Sequence, residues 1–128
     1  MSTVKAANLQ NTGSGAPAFQ NSSGTEIGQL CKAWVKYNGT GTVSIYDDFN
    51  VSSITDNGTG RYTVNITNAM ANTNYAVAVS GSNESESDPP SFFGCAVESY
   101  GTSAFNMFTR QGSTNADMNP ICALVLGD

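Results

Sequence analysis

The sequence predicts an all-β fold, an antiparallel β-sandwich of about eight short strands preceded by an extended N-terminal arm. Three observations carry this. From residue 31 onward, short apolar/polar alternations recur with period two and no sustained 3.6-residue period. Gly, Asn, Asp and Ser, the residues of turns, bound each run. Charged residues make up only 12% of the chain, so solubility rests on Ser, Thr, Asn and Gly, whose short polar groups compete with helical hydrogen bonds.

Residues 1–30 and 31–128 read as two kinds of chain. The first thirty hold turn-rich stretches at 11–18 and 21–25, with single apolar residues spread between them and no period of 3.6 or 2. Such a segment cannot build its own core; it is either disordered or ordered by docking along another surface. Leu9, Phe19 and Ile27 are the expected docking anchors.

The strands begin at Cys31. Lys32–Tyr37 alternates, with Ala33, Val35 and Tyr37 on one face and Trp34 on the other. Asn38–Thr42 is a turn, and Val43–Tyr46 alternates again. Val51–Ile54 enters the central reversal Asp56-Asn57-Gly58-Thr59-Gly60, whose Asn-Gly and Thr-Gly pairs supply residues tolerant of positive φ. Ile54 and Tyr62 flank that reversal and are expected to pair across it. Arg61–Thr67 follows, with Tyr62, Val64 and Ile66 inward and Thr63, Asn65 and Thr67 outward. Further strands are expected at Tyr75–Val79, Phe92–Val97, Ala104–Thr109 and Ile121–Leu126. Only Asn68–Asn72 has the makings of a helical turn.

The composition disfavours several function classes. The formal net charge is -5, and Lys5, Lys32, Lys36, Arg61 and Arg110 are scattered, so no nucleic-acid partner is expected. No apolar run approaches the length of a membrane span, and the N-terminal residues lack an apolar signal-peptide core, so neither membrane insertion nor Sec export is expected. The chain has no His, the commonest general base and metal ligand. No Gly-rich phosphate loop opens a helix, and no basic residue stands beside a cysteine in a way that would activate it. Asp47-Asp48 and the loop acids Glu84, Glu86 and Asp88 match no EF-hand pattern; calcium there is the minority reading beside ordinary turn capping. The expectation is a non-enzyme with no catalytic residues, no cofactor and no metal.

Cys31, Cys95 and Cys122 are widely spaced and odd in number, which suits buried, reduced thiols better than a disulfide between two of them. The sequons at Asn21, Asn38, Asn50, Asn57, Asn65 and Asn83 arise by chance in a chain rich in Asn, Ser and Thr.

Binding is the chemistry that remains. Most aromatic rings are expected in the core, with Tyr100 and Phe105, on either side of the Gly101–Ser103 turn, as the exposed exceptions. Two long polar loops, Ser80–Pro90 and Gln111–Pro120, stand apart as surfaces for recognition. The candidate contact residues are therefore Asn83, Glu84, Glu86, Asp88, Tyr100, Phe105, Asn115 and Asp117.

The segment from Asn50-Val-Ser-Ser-Ile-Thr through the central reversal to Asn65-Ile-Thr67, continuing by Ala69-Met70 to Asn74–Val77, resembles part of phage tail-fibre and related virion proteins. Lys32–Val43 matches as well. Thr3–Thr12 and Asn21–Gly28 resemble the opening of short fibre-like proteins from phages of cyanobacteria and other marine bacteria, so the resemblance covers about residues 3–79. It implies a homotrimer carried on the virion and assembled in the bacterial host cytoplasm. The arm would attach to another virion protein, and the β domain would face outward toward a host-surface glycan or protein. Trimer formation would also support a core that is thin for a chain this short. The implied function is a short fibre or fibre tip that contacts the host. The alternatives are a capsid or neck decoration (head fibre) protein with an assembly or stabilising role, and a stand-alone carbohydrate-binding module.

Overall fold

The computed structural model describes Ala6, Asn8, Gln10 and residues 19–83 and 93–127. The chain divides into two compact units, Met1–Leu30 and Cys31–Asp128. In the first, β1 (Phe19–Gln20) and β2 (Glu26–Gly28) form an antiparallel hairpin. Asn21 closes it: its Oδ1 accepts from the backbone N–H groups of Ser23 and Thr25, both at 3.0 Å.

The second unit is all-β and antiparallel, built from two open sheets. One runs β4 (Ser44–Phe49), β3 (Cys31–Asn38), β11 (Ile121–Leu126), β7 (Ala76–Gly81). The other holds β5 (Val51–Asp56), β6 (Arg61–Ile66), β9 (Ala104–Gln111) and β8 (Phe93–Tyr100) side by side. A short strand, β10 (Thr114–Asn115), pairs with the last two residues of β9 and continues the row of β6. Among the described residues there is no helix, and Asn68–Asn72 passes as bends and irregular chain.

Alternation decides which side chains are buried. Ala33, Val35 and Tyr37 of β3, Tyr62, Val64 and Ile66 of β6, Phe105 and Met107 of β9, and Ile121, Ala123 and Val125 of β11 join one hydrophobic cluster drawn from both sheets. Each large aliphatic side chain removed from water contributes about 1.5–3 kcal/mol. Tyr37 meets Tyr62 edge-on at 5.4 Å between ring centroids and directs its hydroxyl at Met107 Sδ, 3.5 Å away. Trp34 lies on the opposite face of β3 from this cluster.

Two expectations need correction. Ile54 pairs with Val64, and Tyr62 lies opposite Asp56, because the reversal takes only residues 57–60 out of the ladder. The cysteines are unpaired thiols but half-buried rather than buried; Cys95 packs against the edge of the core from β8, a strand at the margin of its sheet. Burial, then proximity to Cys122, raises the Cys95 thiol pKa.

Candidate functional site

At one end of the second unit, the central reversal is tied into a polar knot. Asp56 Oδ1 accepts from Gly58 N–H at 2.9 Å, and Asn57 N–H and Arg61 N–H donate to Arg61 and Gly58 carbonyls. Positive φ falls on Gly58 (112°) and Gly60 (64°), while Asn57 and Thr59 keep negative values. Asp117 then reaches in from the 112–120 loop: its Oδ1 accepts from Gly60 N–H at 2.7 Å and from the Tyr62 hydroxyl at 2.8 Å, and the same hydroxyl lies 3.1 Å from the Gly39 carbonyl. Gly60 carbonyl accepts from Thr109 N–H, and Gly39 N–H donates to Met118. Burial, then the hydrogen bond to Asp117, pushes the Tyr62 pKa well above the ordinary tyrosine value. This knot is structural: Asp117 Oδ1 is taken up by the Gly60 N–H and the Tyr62 hydroxyl, and the Gly60 carbonyl by Thr109 N–H.

The outer faces of the two sheets differ sharply. On the β4–β3–β11–β7 sheet, the register aligns Phe49, Trp34, Leu124 and Ala78 in one row across all four strands. The next row is Asp47, Lys36, Cys122 and Ser80. Phe49 is 53% exposed, Leu124 40% and the neighbouring Leu126 41%. Trp34, Lys36, Ala78, Ser80, Cys122 and Leu124 line a shallow groove of about 400 Å³ there. Tyr46, set in the bulge of β4, takes the Lys36 ammonium over its ring at 5.9 Å and donates its hydroxyl to Asn119 Oδ1 at 2.8 Å.

The outer face of the other sheet is polar. Asn65 Nδ2 donates to Ser53 Oγ and Thr55 Oγ1 across the β5–β6 pair. Asn57 Nδ2 donates to Thr63 Oγ1 at 2.8 Å, and Thr63 Oγ1 donates to Asn106 Oδ1 at 2.7 Å. Arg61 Nη1 stands 3.4 and 3.5 Å from the Glu98 carboxylate oxygens, an exposed and loose ion pair worth about 0–1 kcal/mol. Asn57, Arg61, Thr63, Glu98 and Asn106 line a depression of about 240 Å³, with Asn65, Ser53 and Thr55 outside it.

The contact residues expected from the sequence scatter. Glu84, Glu86, Asp88 and Leu9 lie outside the described residues. Asn83 forms an isolated bridge with Asn119. Asn115 accepts from Arg110 Nε at 3.1 Å, and Asp117 belongs to the knot. Tyr100 is 43% exposed and packs edge-on against Tyr75 at 5.2 Å. Phe105 is a correction: it is 1% exposed, because it shares the inward side of β9 with Met107 and Thr109. Phe19 and Ile27 are exposed in their hairpin, at 42% and 68%. The outward places of Trp34, Thr63 and Asn65 were expected strand by strand, but not the rows they form with neighbouring strands. The signal for the apolar one was Ile121-Cys-Ala-Leu-Val-Leu126, which does not alternate and so reads as apolar on both sides.

Among the described residues no three His, Cys, Asp or Glu side chains are grouped to hold a metal ion. No helix there is long and apolar enough to cross a membrane. No protein-family model, no curated protein and no solved structure matches this chain.

Proposed function

We propose that the second unit is a β-sandwich in a homotrimeric, non-catalytic virion protein, a short fibre or fibre tip that contacts the host surface. Residues 1–30 serve as the attachment arm to another virion protein, and assembly takes place in the bacterial host cytoplasm. The observation that carries this reading is the apolar row Phe49–Trp34–Leu124–Ala78 on an outer sheet face. Monomers rarely leave contiguous apolar patches of more than a few hundred Å² facing water.

Geometry favours two further copies of the chain as its cover. Four strands spaced about 4.8 Å apart make a face about 19 Å wide, and three such faces around a common axis stand about 5.5 Å from it. That is close to half the roughly 10 Å spacing at which sheets pack face to face, so side chains alone would fill the axis. Lys36 and Asp47, opposite each other on this face without an ion pair among the described residues, offer both signs to a neighbouring copy. The resemblance of the reversal and arm to phage fibres points the same way.

Light scattering on the full-length protein tests this. A mass near 40 kDa, three times 13.3 kDa, is expected, with Leu124→Lys falling to the monomer. A monomeric wild type would overturn the fibre reading. In a virion reconstruction, density on the capsid shell instead of the tail would favour decoration, and hydrolysis of a host polysaccharide would overturn the non-catalytic assignment.

A further inference from the structure

The geometry points to a second site, on the opposite, polar sheet face: a subsite for one neutral pyranose ring formed by Asn57, Thr63, Asn106, Arg61 and Glu98. This deepens the host-contact role and rests on it for the source of the sugar, but the site is complete within one chain.

The argument starts from the Thr63 hydroxyl, which has one proton. It accepts from Asn57 Nδ2 and donates to Asn106 Oδ1, so it orients both carboxamides. Asn57 Oδ1 is left as an acceptor and Asn106 Nδ2 as a donor, neither with a further protein partner among the described residues. Beside them, the Arg61 guanidinium supplies donors and the Glu98 carboxylate acceptors, joined to each other by a long contact of 3.4–3.5 Å. A sugar hydroxyl both donates and accepts, so adjacent hydroxyls need such alternating partners.

Charge and size narrow the ligand. Arg61 and Glu98 cancel, and the chain carries -5 overall, which disfavours uronic and sialic acids. The depression holds about 240 Å³, below the roughly 300–1,000 Å³ of drug-sized pockets and on the scale of one ring. Tyr62 also borders it, but its ring is buried inward against Tyr37 and offers no face to a sugar; Phe108, beside Arg61 in register, lies under the Arg110 guanidinium at 4.9 Å. Without a stacking ring the expected affinity is weak, with Kd on the order of 1 mM.

The test is titration of the full-length protein, followed by amide chemical shifts, with glucose, galactose, mannose and N-acetylglucosamine, and with sialic acid as the anionic probe. Saturable shifts confined to residues 57, 61, 63, 98 and 106 with at least one neutral sugar are expected. Asn106→Ala and Glu98→Ala should each weaken binding about tenfold or more, while Asn65→Ala, on the same face outside the depression, should leave it unchanged. No saturable shifts, or shifts elsewhere, would overturn the subsite, as would preferential binding of sialic acid. Sugar binding by a protein found on the capsid shell would remove the fibre reading and leave the subsite standing. A fibre-tip location without sugar binding would do the reverse.

Discussion

The Tyr62 hydroxyl donates to Asp117 Oδ1 at 2.8 Å across 55 residues of sequence, and the same oxygen accepts from Gly60 N–H. One carboxylate thus joins the central reversal, strand β6 and the loop before β11. Asp117→Ala removes a charged acceptor from two donors at once, both on buried residues, and is expected to cost about 2–3 kcal/mol. Asp117→Asn keeps an acceptor oxygen and should cost about 1 kcal/mol, as should Tyr62→Phe. Urea unfolding of Asp117→Ala, Tyr62→Phe and the double variant closes the cycle. A coupling energy below about 0.5 kcal/mol would show that Tyr62 and Asp117 act independently.

Gly60 and Gly41 have nearly the same backbone, φ 64° and 62°, in different surroundings. A Cβ on Gly41 meets nothing within 4 Å, whereas one on Gly60 would stand 2.5 Å from the Thr109 carbonyl and 2.7 Å from Ala116 N. Gly41→Ala should therefore cost only the left-handed strain, about 1 kcal/mol. Gly60→Ala adds a clash with backbone that cannot move away and should cost about 3 kcal/mol or more. Equal thermal shifts for the two variants would mean the knot yields.

What the sequence disclosed and what it hid divide along one line, local against non-local. The inward sets Ala33/Val35/Tyr37 and Tyr62/Val64/Ile66 were legible because alternation within one strand is a local property. Phe105 and Phe108 are three residues apart and must face opposite ways. Which one faces in depends on the neighbouring sheet, and the expectation for Phe105 failed there. The place of β11 between β3 and β7, and the Thr63–Asn106 relay, rest on pairings between distant segments. Asp117 was singled out for its loop, yet its partners lie 57 and 55 residues away.

Asn50 is the non-glycine residue with positive φ, 58°, among the described residues. Its side chain explains why it is tolerated. Nδ2 donates to the carbonyls of Lys32 at 2.9 Å and Asn68 at 3.2 Å, and Oδ1 accepts from Asn68 N–H at 2.7 Å. The residue thus clamps the corner between β4 and β5 to two other segments. Asn50→Ala loses those bonds and keeps the strain, for an expected cost of about 2–4 kcal/mol. Asn50→Gly loses the bonds but relieves the strain, so it should be the milder change by about 1 kcal/mol. The reverse order in chemical denaturation would show that the side-chain bonds contribute little.

Alkali should unfold this protein through its tyrosines. Burial, followed by proximity to Tyr62, raises the Tyr37 pKa, and burial followed by the Asp117 hydrogen bond raises that of Tyr62. Both side chains are essentially without solvent exposure. The unfolded chain loses these protons near pH 10 while the folded chain retains them, so stability falls as pH rises. The contribution is fully present below about pH 10 and declines above it, by about 1.4 kcal/mol per pH unit for each tyrosine held protonated. Cys95, also raised, begins the decline slightly earlier, since an unfolded thiol titrates near pH 8.5. Tyr37→Phe retains the ring contact with Tyr62 and loses the hydroxyl bonded to Met107 Sδ, so it should flatten the slope by one proton. Urea midpoints between pH 8 and 11, with tyrosinate absorbance followed alongside, check this. Tyrosinate appearing for both rings before unfolding would place them in water, against the packing of the core.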